Sequence, residues 1–176
     1  LPVVGVVYDP DERNAYWVGI SGHLERDSGR RSIVFEKSET TLFDQANFTD
    51  IFMPLFVGDP PRLPFDKSLR FARAPSDGTH AIGIRSLFYR HRNRLETWET
   101  FAELLRTRPT AELDPILAYF LAHVPGHGDV LWGADSIIDE AVRERAKELM
   151  SAWGQREVLQ LLRLMDDNGV ERGSIG

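Results

Sequence analysis

LPVVGVVYDPDERNAYWVGI, residues 1–20, is the stretch whose reading decides the fold class. Pro2 to Asp9 is an almost unbroken apolar, β-branched run, the pattern of a strand buried on both faces. The polar residues that follow read as a turn: Pro10 fixes its own φ, while Asp11 and Asn14 carry side chains able to bond nearby main-chain groups. Ala15 to Ile20 then predicts a second strand, so the chain opens on a β-hairpin. Ser21 to Arg31 is polar and contains glycine, as a loop does, and Ser32 to Lys37 predicts a third strand.

Downstream the apolar period lengthens. Phe43, Phe48, Ile51, Phe52, Leu55 and Phe56 recur at spacings near three and four, the mark of an amphipathic helix, with Asp44 placed to cap it. Pro54 is expected to bend or end this helix. Gly58 to Pro64, GDPPRLP, reads as an extended, semi-rigid linker. Beyond it the pattern predicts helices over Thr79–His91, Arg94–Thr107, Ala111–His123, Asp135–Trp153 and Gln155–Asp167, separated by proline and glycine stops, with Asn168-Gly169 ending the last. The fold class expected is therefore α+β, with a sheet-derived part over 1–57, a linker over 58–77 and a helical domain over 78–176. The paired helices suggest a HEAT-like layout, although no internal repeat accompanies it.

Composition narrows the functional classes. Of 176 residues, 42% are hydrophobic and 27% charged, the balance of a folded domain. No apolar run approaches the roughly 20 residues a membrane helix needs, and no basic-flanked leader opens the chain. With no cysteine there is neither a disulfide nor a thiolate zinc site. A cytoplasmic protein is the expectation. The net charge of −6 is unevenly spread: residues 1–58 carry −4, residues 59–108 carry +4 and residues 109–176 carry −6. The first residue is not methionine and lies directly on a strand that wants neighbours, so the chain reads as a piece of a longer protein. The remainder of that protein is its first expected partner.

No Walker loop, GxGxxG or GxSxG is present, so nucleotide hydrolysis, dinucleotide binding and serine-esterase chemistry have no support. Two constellations remain. Arg85, Arg90, Arg92 and Arg94 stand close together with Phe88, Tyr89 and Trp98, a combination suited to phosphate contact and base stacking. On a helix, Ile84, Leu87, Phe88, His91 and Leu95 form one apolar face and leave the arginines to the other, so a solvated or internally paired basic face is the plainer expectation. His123, His127 and Asp129 offer two imidazoles and a carboxylate to a metal, but Pro125 and Gly126 break the helix between them and already explain the segment as a turn. Trp132, Trp153 and Val158 to Met165 are expected to be core.

Leu1, Pro2, Val3, Val4, Asp9, Pro10, Tyr16 and Trp17 form a Leu-Pro-Val strand, an Asp-Pro turn and a Tyr-Trp strand. In this the segment resembles the later half of the bacterial domain of unknown function 4365 family. The resemblance implies a hairpin and strand from a restriction-endonuclease-like sheet, in a PD-(D/E)xK nuclease-like parent of the defence type. In such folds the acidic residues and lysine that hold Mg²⁺ lie upstream of this hairpin, so the resemblance assigns no catalytic residue and no cofactor to this chain. Mg²⁺ would belong to the parent. Glu36-Lys37 places an acid beside a lysine, but as a solvated strand end. The function expected is thus a non-catalytic part of a nucleic-acid-processing protein, acting as scaffold and contact surface. The alternative is a helical protein–protein interaction module with a small β appendage.

Overall fold

A computed structural model describes residues 3–21, 32–75, 77–126 and 137–166. The chain divides into two compact units, Leu1–Leu63 and Pro64–Gly176.

The first unit is built on the expected hairpin. Strands β1 (Val4–Asp9) and β2 (Asn14–Gly19) pair antiparallel, Val4 opposite Gly19 and Asp9 opposite Asn14. The turn is closed by Asp9 rather than by Asp11 or Asn14: its Oδ1 accepts the N–H groups of Asp11 at 2.9 Å and Glu12 at 3.3 Å. Arg13 supplies the left-handed residue, φ 54°, that turns the chain into β2. Lys37 ties the turn from outside through Asp9 and Glu12, and Tyr16 donates its hydroxyl hydrogen to Glu12. These bonds hold both carboxyls below their usual range and push the lysine and the phenol up.

Two expectations fail here. Residues 32–37 form no strand. The outer edge of β2 is taken by a later segment, with Trp17 N–H donating to Thr41 O at 2.9 Å and Phe43 N–H to Ala15 O at 2.7 Å. Phe35 instead lies over Gly5, where an added Cβ would come within 3.0 Å of its ring. Nor is β1 buried on both faces: Val6, Val7 and Tyr8 are 52%, 41% and 61% exposed, because among the described residues the sheet has only two strands. A β-branched run records the preference for a sheet, and the number of neighbours decides its burial.

The amphipathic segment forms a continuous helical run, α1 (Gln45–Asn47), a π-helical stretch (Phe48–Phe52) and α2 (Met53–Phe56). Asp44 caps it as expected, its carboxylate accepting Asn47 N–H at 2.7 Å. Pro54 does not end the run. Having no N–H, it leaves Asp50 O without a helical donor, and Arg62 N–H fills that place at 2.7 Å. Asp59 N–H meanwhile caps Pro54 O at 2.7 Å, beyond a left-handed Gly58 at φ 82°. The stretch read as linker therefore folds back onto its own helix, and a further helix stands inside the span 58–77. Phe43, Phe48, Phe52 and Trp17 close this unit through edge and stacked ring contacts at 5.1–5.7 Å.

The second unit is helical: α3 (Phe65–Ala72), α4 (Asp77–His91), α5 (Leu95–Thr107), a 3₁₀ turn (Thr110–Glu112), α6 (Ile116–Leu121), α7 (Glu140–Ser151) and α8 (Gln155–Asp166). The helix expected over Ala111–His123 is broken at Asp114-Pro115, because proline pushes the preceding residue out of the helical region. Asp114 then restarts the helix by accepting Ile116 N–H at 2.9 Å. The core centres on Phe88, stacked on Phe120 at 4.0 Å and 5° and edge-on to Trp98 at 6.3 Å. Trp98 buries its indole but satisfies its N–H on Arg92 O at 2.7 Å. Among the described residues no helix is long and apolar enough to cross a membrane.

α3 and α4 cross almost in backbone contact. A Cβ on Gly83 would fall 2.1 Å from Ala72 N, where nothing flexible can yield. Gly83→Ala is therefore expected to destabilise the fold by more than about 2 kcal/mol, toward the upper range for overpacked cores. Gly78→Ala, in the same helix with open space around it, should instead stabilise by about 0.5–1 kcal/mol. Chemical denaturation of the two variants checks the opposite signs.

Candidate functional site

The four arginines of the basic cluster all lie on or just after α4, yet the structure gives them separate tasks. Arg85 reaches toward Asp114, 3.9 Å away. Arg92 is turned inward, donating to Ile137 O at 2.9 Å and to Tyr89 O at 3.1 Å. Arg94 lies over the Phe65 ring, 4.3 Å from its centroid. Arg90 is exposed and makes no ion pair with a described residue. Arg85, Arg92 and Arg94 thus each have a contact within the helical unit, while Arg90 has no ion pair among the described residues.

The histidine loop divides differently. His127 and Asp129 lie outside the described residues. His123 is fully buried, with Nδ1–H donating to Tyr119 O at 2.9 Å and the ring edge-on to Phe88 and Tyr119, both at 4.7 Å. Its Nε2 is buried without a hydrogen-bond partner. Burial pushes its pKa down, keeping the ring neutral. Among the described residues no three His, Asp or Glu side chains converge as metal ligands do.

A surface that sequence reasoning assigned to the core is α8. Its inner side is fastened down: Glu157 accepts from Arg106 at 2.9 Å and from Gly154 N–H at 3.1 Å, Gln160 donates to Arg108 O, Leu164 is buried, and Leu161 and Met165 pack against the core. The Arg106 guanidinium, with the helix-end N–H groups, holds the Glu157 carboxyl below its usual range. The outer side carries Val158, Leu159 and Leu162, 45%, 43% and 54% exposed. At 100° per residue these fall on one stripe, bordered along one side by exposed Arg156 and Arg163. The signal was present in VLQLLRLM: its apolar positions are too many for one face and mark a helix that is apolar on two. Trp132 lies outside the described residues, and Trp153 is half-buried against the core.

Comparison with protein-family models, curated proteins and solved structures gives no match in any of the three. The likeness of Leu1 to Ile20 to a nuclease-associated family rests on those residues alone.

The buried imidazole makes stability depend on pH. An unfolded histidine titrates near pH 6.5, to within about a unit, whereas folded His123 titrates lower, so on acidification the unfolded chain takes up the proton first. Stability is then full above about pH 6.5 and declines as pH falls toward the lowered folded value. His123→Phe keeps the aromatic packing and removes the proton. Urea unfolding across this range should show a shallower decline for the variant than for the parent chain.

Proposed function

We propose that this chain is a non-catalytic contact module whose helical unit engages a protein partner through the outer stripe of α8. One observation carries this: Val158, Leu159 and Leu162 stand exposed at helical spacing on a helix whose opposite face is already packed and ion-paired. The partner that fits is an amphipathic helix with an aliphatic stripe and acidic flanks, since Arg156 and Arg163 border the stripe.

The test uses two synthetic helical peptides with leucines at i, i+3, i+4 and i+7, one flanked by glutamates and one by lysines. The glutamate peptide is expected to bind, and the lysine peptide at least about tenfold more weakly, a difference of about 1.4 kcal/mol. Leu159→Glu/Leu162→Glu should abolish the binding. Equal affinity for both peptides, binding that survives the double substitution, or self-association through this face would each show that the assigned partner is wrong.

A nucleic-acid-processing parent of the nuclease-like kind, with Mg²⁺ held elsewhere, is supported by one feature. The outer edge of β1 has no backbone partner among the described residues, as at the seam of a larger sheet. The arginines argue against this chain being the nucleic-acid contact. With Arg85, Arg92 and Arg94 engaged internally, a salt titration of fluorescent DNA is expected to show a slope no steeper than about −0.9, one phosphate's worth. Binding should be lost at physiological salt. A slope several times steeper that flattens in Arg90→Glu/Arg92→Glu would restore the cluster as a nucleic-acid surface.

A further inference from the structure

Backbone bonding fixes which way each residue of β1 faces. Ile20 N–H donates to Val3 O at 2.8 Å, and positions 15 and 17 of β2 bond outward to residues 41–43. Antiparallel pairs alternate between bonded and non-bonded, so Gly5, Val7 and Asp9 bond to β2. Val4, Val6 and Tyr8 point their N–H and C=O groups away from it. No described residue meets those groups.

Within Val3 to Tyr8 this edge carries none of the side-chain devices that ordinarily protect one. Val3 to Tyr8 contains no lysine, no proline, no charge and no bulge, and Val6 and Tyr8 are more than half exposed. Beside Val4 the same sheet face carries an apolar groove of about 130 Å³ lined by Val4, Trp17, Gly19, Phe52, Leu55 and Phe56. A cavity of about 150 Å³ is large enough for one benzene ring, so this groove is of the size for a single aromatic side chain.

We propose that β1 pairs with β1 of a second copy, antiparallel and centred on Val6, making a continuous four-stranded sheet. In that register Val6 faces Val6 of the copy and Val4 faces Tyr8. All three positions are ones whose N–H and C=O point outward, so each pair exchanges two hydrogen bonds and no outward group is left over. Residues directly opposite share a face, so Tyr8 of each copy lies beside the groove of the other. Val4 to Tyr8 carries no charge to repel its twin, and Asp9, at the end of the strand, falls opposite Val3 rather than opposite itself. Filling both grooves by the same contact makes the interface isologous and closed. A strand from elsewhere in a longer parent is the competing occupant.

Because the chain has no cysteine, single cysteines test the register directly. Bonded antiparallel partners lie about 5.5 Å apart at Cα, within the span a disulfide bridges. Under mild oxidation Val6→Cys should crosslink to a dimer, while Tyr8→Cys, whose twin is four residues out of register, should not. Light scattering of the unmodified chain should give twice the monomer mass at high concentration, falling to monomer on dilution. Val6→Pro removes only an outward N–H and should be monomeric throughout, with Val6→Lys as a second variant should proline disturb the hairpin. Tyr8→Ala should shift the equilibrium toward monomer. A monomeric parent chain, equal crosslinking at positions 6 and 8, or a dimer indifferent to Val6→Lys would overturn the proposal. These outcomes leave the α8 peptide binding untouched, so the two surfaces fail or stand separately.

Discussion

The helical unit depends on how closely α3 and α4 approach at Gly83. With only a hydrogen in the place of a side chain, α4 lies against the last turn of α3, and its other apolar residues are brought to a fixed depth. Ser68 and Ser86 then meet as buried hydroxyls at 2.9 Å, and His80 Nδ1–H donates to Ala72 O at 2.6 Å, taking up a carbonyl at the end of α3. From the same helix Phe88 reaches the centre of the unit, where Phe120 stacks on it and Trp98 and His123 abut its edges. Ring packing of this kind is directional, and the depth at which α4 sits sets where its partners on α5 and α6 must be.

The same geometry explains why the basic segment is a poor guide to function. The turn after α4 has carbonyls to satisfy at a helix end, and three different side chains take them: Arg92 on Tyr89, Thr97 on His91 and Trp98 on Arg92. An arginine in this position serves as a cap with a long reach. Its charge is counted in the +4 of residues 59–108, while two of its N–H groups already donate to the backbone. Charge totals per segment therefore overstate what a polyanion would meet, because they count ions and not free hydrogen-bonding groups.

What could be read from the sequence was local. The hairpin, the Asp44 cap, the helix over α4 and its apolar face, α5 and α8 all follow from patterns that span a few residues, where a period or a cap determines the answer. The misreadings share a cause: each depended on a partner distant in sequence. Ser32–Lys37 has strand composition, but the edge it would have joined was taken by Thr41–Phe43. Val158 to Met165 reads as core, yet the unit has room for only one of its two apolar faces. Asp114-Pro115 is the exception, a local break that was visible and was overridden by the surrounding apolar pattern.

The two surfaces left open differ in kind, and that difference bears on what each can recognise. On α8 the backbone is satisfied within the helix, so a partner gains only side-chain burial and the attraction of two arginines, contacts that tolerate variation in the partner's sequence. On β1 the groups without a partner among the described residues are in the backbone itself. A buried N–H or C=O without a partner costs roughly 1–3 kcal/mol, so anything that covers Val6 and Tyr8 without pairing their main chain is penalised. The edge therefore discriminates by conformation: it accepts an extended strand in register and rejects a helix of the same composition. The two proposed surfaces lie on separate units of the chain and would select by different means, α8 by shape and charge and β1 by backbone geometry.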